Sequence, residues 1–268
     1  MTSMEWRVPF ERYGRCLIRS FGNNRLRYLP LIAVLLVCPR LYGQESCDEE
    51  VKLLLLPTQV RIAVSALEAG GETRGRIYFY DTTALDLLSK GVILRLREGE
   101  EIDITAKLRP AAGETMVDPT RRGKGYKCEV DLNDGIENQS FSVERKYGAT
   151  EVPETGMELL TLLSAGQKKL IAESKVKIDW KQVRRVANIQ STSWTVPAKP
   201  PLSKLSLELW EWPGGSVLEV STKGTLEVGR VTYRRLQELA NEKGLALNSN
   251  QHGKTAIALG QIAASHMR

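Results

Sequence analysis

Hydrophobic and polar positions alternate with a period of two in segment after segment of this chain. Residues 48–52 read Asp-Glu-Glu-Val-Lys and run into four leucines, Leu53 to Leu56. As a strand, this stretch puts Asp48, Glu50 and Lys52 on one face and Glu49, Val51 and Leu53 on the other. The alternation returns at Val92–Arg97, where Leu94 and Leu96 oppose Arg95 and Arg97. It is cleaner over Ile102–Arg109, with Asp103, Thr105, Lys107 and Arg109 on one face. In Tyr126–Asn133 the polar face is Lys127, Glu129 and Asp131. Residues 205–212 set leucines against Ser206, Glu208 and Trp210, and Pro213-Gly214-Gly215 turns the chain into 217–223, with Glu219, Ser221 and Lys223 together. Residues 76–80 and 141–147 add two more strand candidates, and 175–196 holds strand-like material around 175–180 and 184–189.

Helical periodicity is confined to a few places. Thr155 and Glu158 form a capping-box pattern ahead of a helix through about Glu173, with Leu159, Leu162, Leu163, Leu170 and Ile171 as its apolar stripe. Residues 227–243, closed by Gly244, and residues 254–264 supply two more helices, and short turns follow Pro57 and Thr83. Residues 110–125 form a loop by their prolines and glycines, with a basic knot at Arg121, Arg122 and Lys124.

The polar faces favour full charges of both signs over Ser, Thr and Asn. Two arrangements are open. The charges face bulk water on one side of a sheet, or the sheet closes, the charges line a lumen and helices cover the apolar outside. Charge in a lumen is costly unless it is paired or binds ions. The second arrangement is therefore a functional hypothesis.

Net charge narrows the choice of partner. Of the formal +6 carried by 268 residues, +5 lies in residues 1–43, which hold seven arginines and two glutamates. The remainder is close to neutral, so a nucleic-acid surface is not implied. The leader reads as an export signal, with basic residues before an apolar run from Leu29 to Cys38 and Gly43 ahead of Gln44 as a cleavage point. A lipoprotein anchor at Cys38 and an uncleaved anchor are the alternatives. The expected location is periplasmic or secreted, with residues 44–268 as a single domain and any membrane contact made through the leader alone. After cleavage Cys47 and Cys128 remain, either as a surface disulfide or as two unrelated thiols. The only histidines, His252 and His266, are too isolated for a zinc site, and Gly253-Lys254-Thr255 lacks the first glycine of a P-loop.

An ordered set of motifs spans residues 48 to 260: Asp48-x-Glu50-x-Lys52, then Tyr78-Phe79-Tyr80-Asp81-Thr82, Gly91 with Arg95-x-Arg97, Lys107, Glu129, Arg184 or Arg185, Glu208, Glu219-x-Ser221 and Lys254. This set resembles the CYTH superfamily, the triphosphate tunnel metalloenzymes, whose members include thiamine, inorganic and RNA triphosphatases and one class of adenylate cyclase. The resemblance implies an α+β fold, an antiparallel eight-stranded β-tunnel with helices outside. It implies phosphate binding by Lys52, Arg95, Arg97, Lys107, Arg185 and Lys254, catalysis by Glu50 and Glu129, and Mg²⁺ or Mn²⁺ held by Asp48, Glu50, Glu208 and Glu219. The chain departs from the family at Asp48, which replaces a longer glutamate, and at Ser221, which replaces a carboxylate. The implied function is an exported metal-dependent phosphohydrolase of inorganic triphosphate, polyphosphate or an organic triphosphate. A non-catalytic binder of phosphate or another small polyanion on the same fold is the alternative, and an unrelated β-rich protein with a wet charged face is the third.

Overall fold

The computed structural model describes residues 47–99, 101–110, 124–133, 136–148, 151–200, 202–224 and 229–266. The leader and most of the 110–125 loop lie outside the described residues.

The strands are β1 (Asp48–Leu55), β2 (Gly70–Asp81), β3 (Val92–Glu98), β4 (Ile102–Leu108), β5 (Tyr126–Asn133), β6 (Ile136–Tyr147), β7 (Arg184–Thr195), β8 (Ser206–Trp212) and β9 (Gly215–Gly224). The helices are α1 (Val60–Ala66), α2 (Asp86–Ser89), α3 (Gly156–Leu162), α4 (Ala165–Glu173), α5 (Gly229–Glu242) and α6 (Lys254–His266). The strands close into a barrel in the order β1-β5-β6-β4-β3-β2-β7-β8-β9. The expected β-tunnel with outer helices is present, with nine strands rather than eight among the described residues. One pair is parallel: β1 runs alongside β5, with Asp48 opposite Glu129 and Glu50 opposite Asp131. Strand alternation specifies which face a residue takes but carries no information about strand direction, so this pair was invisible in the sequence.

Three segments differ from the sequence reading. β2 begins at Gly70 rather than at residue 76, because a long β2–β7 ribbon extends to Thr195. The helix expected over 155–173 is two helices. Ser164, with extended backbone, accepts from Gln167 N and starts a second capping box. Residues 175–180 lie outside the strands, after Lys175 takes a left-handed backbone with φ 57°.

The outward faces are apolar and covered. Val51, Leu53, Leu55, Leu207 and Leu218 pack with Leu236 and Ala240 of α5 and Ala63 of α1. Leu94, Leu96, Ile104, Ala106 and Phe141 pack with Leu159 of α3 and Leu170 of α4. Gln167, fully buried, donates through Nε2 to Ile104 O at 2.7 Å, which docks α4 onto the barrel wall. Asp81, at the end of β2, accepts from Leu87 N and Leu88 N at 2.8 and 2.9 Å and so holds α2 in place. Among the described residues no helix is long and apolar enough to cross a membrane.

The inside of the barrel is divided. Phe79 stands opposite Arg95 and Ile77 opposite Arg97, so these share the inner face. At one end Leu54, Ile77, Phe79, Ile93, Ile189 and Trp210 pack against Ala258, Leu259 and Ile262 of α6. This helix plugs that end with hydrocarbon, and the charged residues hold the rest of the lumen.

Cys47 and Cys128 are disulfide-bonded across 81 positions of sequence. The bond lies at the outer apolar layer rather than on the open surface, Cys128 being 7% exposed. Replacing both cysteines by serine removes a long-loop cross-link and is expected to lower unfolding free energy by about 2–4 kcal/mol. A urea denaturation comparison of the two proteins measures this directly, and an unchanged midpoint would contradict it.

A candidate polyanion site in the barrel lumen

Each lumenal charge is placed by the register of its strand. Glu50 and Lys52 lie on the inner face of β1, Arg95 and Arg97 on β3, Thr105 and Lys107 on β4, Glu129 and Asp131 on β5, Glu208 on β8 and Glu219 on β9. Lys254 enters from the first turn of α6.

Two ion-paired clusters form. The first centres on Asp131, which is fully buried. Asp131 accepts from Lys52 Nζ at 2.7 Å and from Arg109, and Lys107 Nζ lies 3.8 Å away. Lys52 Nζ also meets Glu50 at 3.0 Å, and Lys107 Nζ meets Glu129 at 3.2 Å. The second centres on Lys254. Its ammonium donates to Glu208 and to Glu219 Oε1, the latter at 2.7 Å, and lies 4.7 Å from the centre of the Trp210 ring. Glu208 Oε1 also accepts from Ser191 Oγ at 3.0 Å and lies 3.5 Å from Arg97 Nη2.

Arg95 is different. Its Nη2 donates to Thr105 Oγ1 at 3.2 Å, and it has no carboxylate partner among the described residues. Its Nε is buried without a hydrogen-bond partner, as are those of Arg97 and Arg109. Burial, with the neighbouring Arg97 charge second, pushes the Arg95 guanidinium down to about 10. A cavity of about 70 Å³ touches Arg95, Lys52, Lys107, Asp131 and Lys254. A wider recess of about 330 Å³ opens beside the β3–β4 hairpin, lined by Arg97, Asp103, Glu144, Lys146, Ser193 and Glu208.

Asp131 and Glu208, at the centres of the clusters, stay ionised. Burial alone would raise Asp131, but Lys52, Lys107 and Arg109 together hold it well below the usual carboxylate range. Burial likewise works against Glu208, and Lys254 and Arg97 outweigh it. A carboxylate depressed in the folded state contributes stability that is complete above its unfolded pKa, about 4 for Asp and Glu, and is lost as pH falls below it. The urea midpoint is therefore expected to be flat from pH 7 to about 5 and to fall steeply below that. A midpoint that held constant down to about pH 3 would contradict the pairing.

No protein-family model and no curated protein matches the sequence. Solved structures do match in fold. One, a putative adenylyl cyclase from Hippeastrum whose structure is described as revealing a dominant triphosphatase activity, is 21% identical, with TM-score 0.58 over 79% of this chain and 95% of its own. Another, a putative adenylate cyclase from Bacillus halodurans, is 15% identical, with TM-score 0.54 over 78% of this chain and 95% of its own. The fold is shared with these two adenylate cyclase-like proteins.

Within the tunnel, Glu50, Lys52, Arg95, Arg97, Lys107, Glu129, Glu208, Glu219 and Lys254 all face the lumen. Two residues do not. Asp48 sits exposed at the rim, opposite Glu129. Arg185 is outside the tunnel: its Nη2 pairs with Glu154 at 2.5 Å and its guanidinium lies 5.2 Å over the Tyr78 ring. The cause is a register shift. Phe79 pairs with Ala187 but Tyr80 pairs with Arg185, so Arg185 takes the outward face of Tyr80. Asp131 and Arg109 were placed on the correct face by alternation but not singled out. Nothing in the sequence marked Asp131 as the acid on which three basic side chains meet.

The metal expectation meets an obstacle in the donor set. Among the described residues no group of three or more His, Cys, Asp or Glu side chains is arranged to hold a metal ion. The Lys254 ammonium stands between Glu208 and Glu219, and Lys52 holds Glu50. Ser221 offers a neutral hydroxyl and shares a hydrogen bond of 3.0 Å with Ser206. These residues do not fit a resident Mg²⁺ or Mn²⁺.

Proposed function

We propose that the lumen binds a short phosphate chain: inorganic triphosphate or polyphosphate, or the triphosphate end of an organic molecule. The observation that carries this reading is Arg95, a buried guanidinium beside Arg97 that makes no direct ion pair among the described residues, and whose burial outweighs the more distant pull of Asp103, Glu208 and Glu144. Two guanidiniums on one strand face, with unused donors, are a poor arrangement unless an anion joins them. Phosphate oxygens match the guanidinium fork and accept two hydrogen bonds at once. Lys52, Lys107 and Lys254 border the same cavity and add positive charge along the chain. The recess beside the β3–β4 hairpin is the entrance, because α6 closes the other end.

A second reading, hydrolysis of the terminal phosphate, is favoured by the placement of Glu50 and Glu129 at the same cluster. There water would attack the terminal phosphorus, the bridging P–O bond would break towards the remaining chain, and one of these carboxylates would take the proton from water. Export of the protein is supported by the Cys47–Cys128 bond, which suits an oxidising compartment.

Calorimetric titration of the full chain with sodium tripolyphosphate tests the binding reading. Saturable binding is expected, together with protection against urea. If tripolyphosphate neither binds nor shifts the midpoint, the reading is wrong. Free phosphate released over time, and lost in Glu50→Gln, would establish the hydrolytic reading; binding without release would set it aside.

A further inference from the structure

We propose that this tunnel grips its phosphate chain without a protein-held divalent cation, and that the Lys254 ammonium takes the place such an ion would fill. The inference rests on the phosphate reading above and specifies the form of the ligand: the free polyanion rather than its magnesium complex.

Four observations lead to it. First, the Lys254 ammonium bridges the Glu208 and Glu219 carboxylates, which stand opposite each other on β8 and β9. Together with Arg97 beside Glu208, this ammonium supplies the two positive charges that a bridging divalent ion would bring. Second, the ammonium is held from several sides. It sits over the Trp210 ring, a favourable place for a cation. Its helix is anchored by Ala258, Leu259 and Ile262. The preceding segment is pinned by Gln251, whose side chain accepts from Leu54 N and donates to Leu54 O, each at 2.8 Å. Moving the ammonium aside would disturb the plug of the barrel.

Third, the remaining acids are already engaged. Glu50 is paired with Lys52, Glu129 with Lys107, and Asp131 with Lys52 and Arg109. A divalent ion would have to displace hydrogen-bonded cations from a buried site and leave them unpaired, which is costly. Fourth, Ser221 faces Ser206 across the β8–β9 pair and contributes a neutral hydroxyl to the lumen where another acid could have stood. Among the described residues, the unused guanidinium donors are those of Arg95, Arg97 and Arg109, and of these Arg95 alone has no direct ion pair. Magnesium on the phosphate chain would cancel the negative charge that these guanidiniums recognise.

The test uses the full-length protein and tripolyphosphate in two media, one with EDTA and one with excess Mg²⁺. Binding in EDTA is expected to be as tight as in Mg²⁺, or several-fold tighter. Binding that needs Mg²⁺ would overturn the inference while leaving the phosphate reading intact. Absence of binding in both media would overturn the phosphate reading and this inference with it. In a separate titration without phosphate, Mn²⁺ is expected not to bind the wild-type lumen, and stoichiometric binding reversed by Glu219→Gln would overturn the proposal. Lys254→Met, which frees both carboxylates, is expected to gain Mn²⁺ binding. A folded Lys254→Met protein that takes up no Mn²⁺ counts against the substitution of ammonium for metal. Should that variant not fold, the two wild-type titrations still decide.

Discussion

Asp131→Asn is expected to lower the unfolding free energy by about 3–5 kcal/mol, the range for breaking a buried ion pair from one side. The substitution keeps the shape of the side chain and removes only its charge. Asp131 is completely buried, and the groups that lose their anion are themselves largely enclosed, with Lys52 at 13% and Arg109 at 26% exposure. Lys52 and Lys107 retain Glu50 and Glu129, but Arg109 has no second carboxylate among the described residues. Burial already pushes the Lys107 ammonium down despite Asp131 beside it, so removing that carboxylate deepens an existing deficit. Urea unfolding of the two proteins measures the loss. Tripolyphosphate is expected to stabilise the asparagine variant more than the wild type, because a guest anion then supplies the missing charge. A change within about 1 kcal/mol, the typical value of an exposed pair, would show that the Asp131 cluster is not a buried unit.

Arg95→Met is expected to move stability and binding in opposite directions. The guanidinium is buried, with a hydrogen bond to Thr105 and no direct ion pair among the described residues. Its folded pKa, pushed to about 10 from an ordinary 12.5, lies below the unfolded value. A cation with a lowered folded pKa is a cost to folding at every pH below that folded value, so the cost is fully present at neutral pH. Methionine fills similar space without charge, and replacing a buried charge by a packed apolar group stabilises by about 1–4 kcal/mol in the favourable cases. Losing one charged partner of a desolvated contact costs about 2 kcal/mol or more in affinity. Tripolyphosphate affinity is therefore expected to fall at least about thirtyfold. Calorimetry and urea unfolding on the same preparation give both numbers. A variant that binds normally, or that loses stability as well as affinity, would assign Arg95 to the scaffold instead of the ligand. The contrast with Asp131 is instructive: one residue completes a neutral cluster, while the other borders the inner cavity without a direct ion pair.

These two residues also show where sequence reasoning reached its limit. Simple alternation puts both on the polar face of their strands. Arg95 was recognised through its motif, Arg95-Leu96-Arg97, whereas Asp131 belongs to no motif and gained importance only when β1 came to lie parallel to β5. Arg185 failed for the opposite reason. Its position in the motif order was plausible, but a one-residue shift against β2 turned it to the outside. A period of two is sensitive to such shifts, since each reverses the face of every residue beyond it.

By itself, the sequence determined which residues of each strand share a face, that the charged faces mix acids with bases, and that the apolar faces need covering. Those properties follow from backbone geometry within a single segment. Only the tertiary structure decided that the strands close into a barrel, that α6 fills one end, and which acid meets which base. Pairing distances depend on register between segments far apart in the chain, and a difference of a few ångströms separates a neutralised cluster from a free guanidinium.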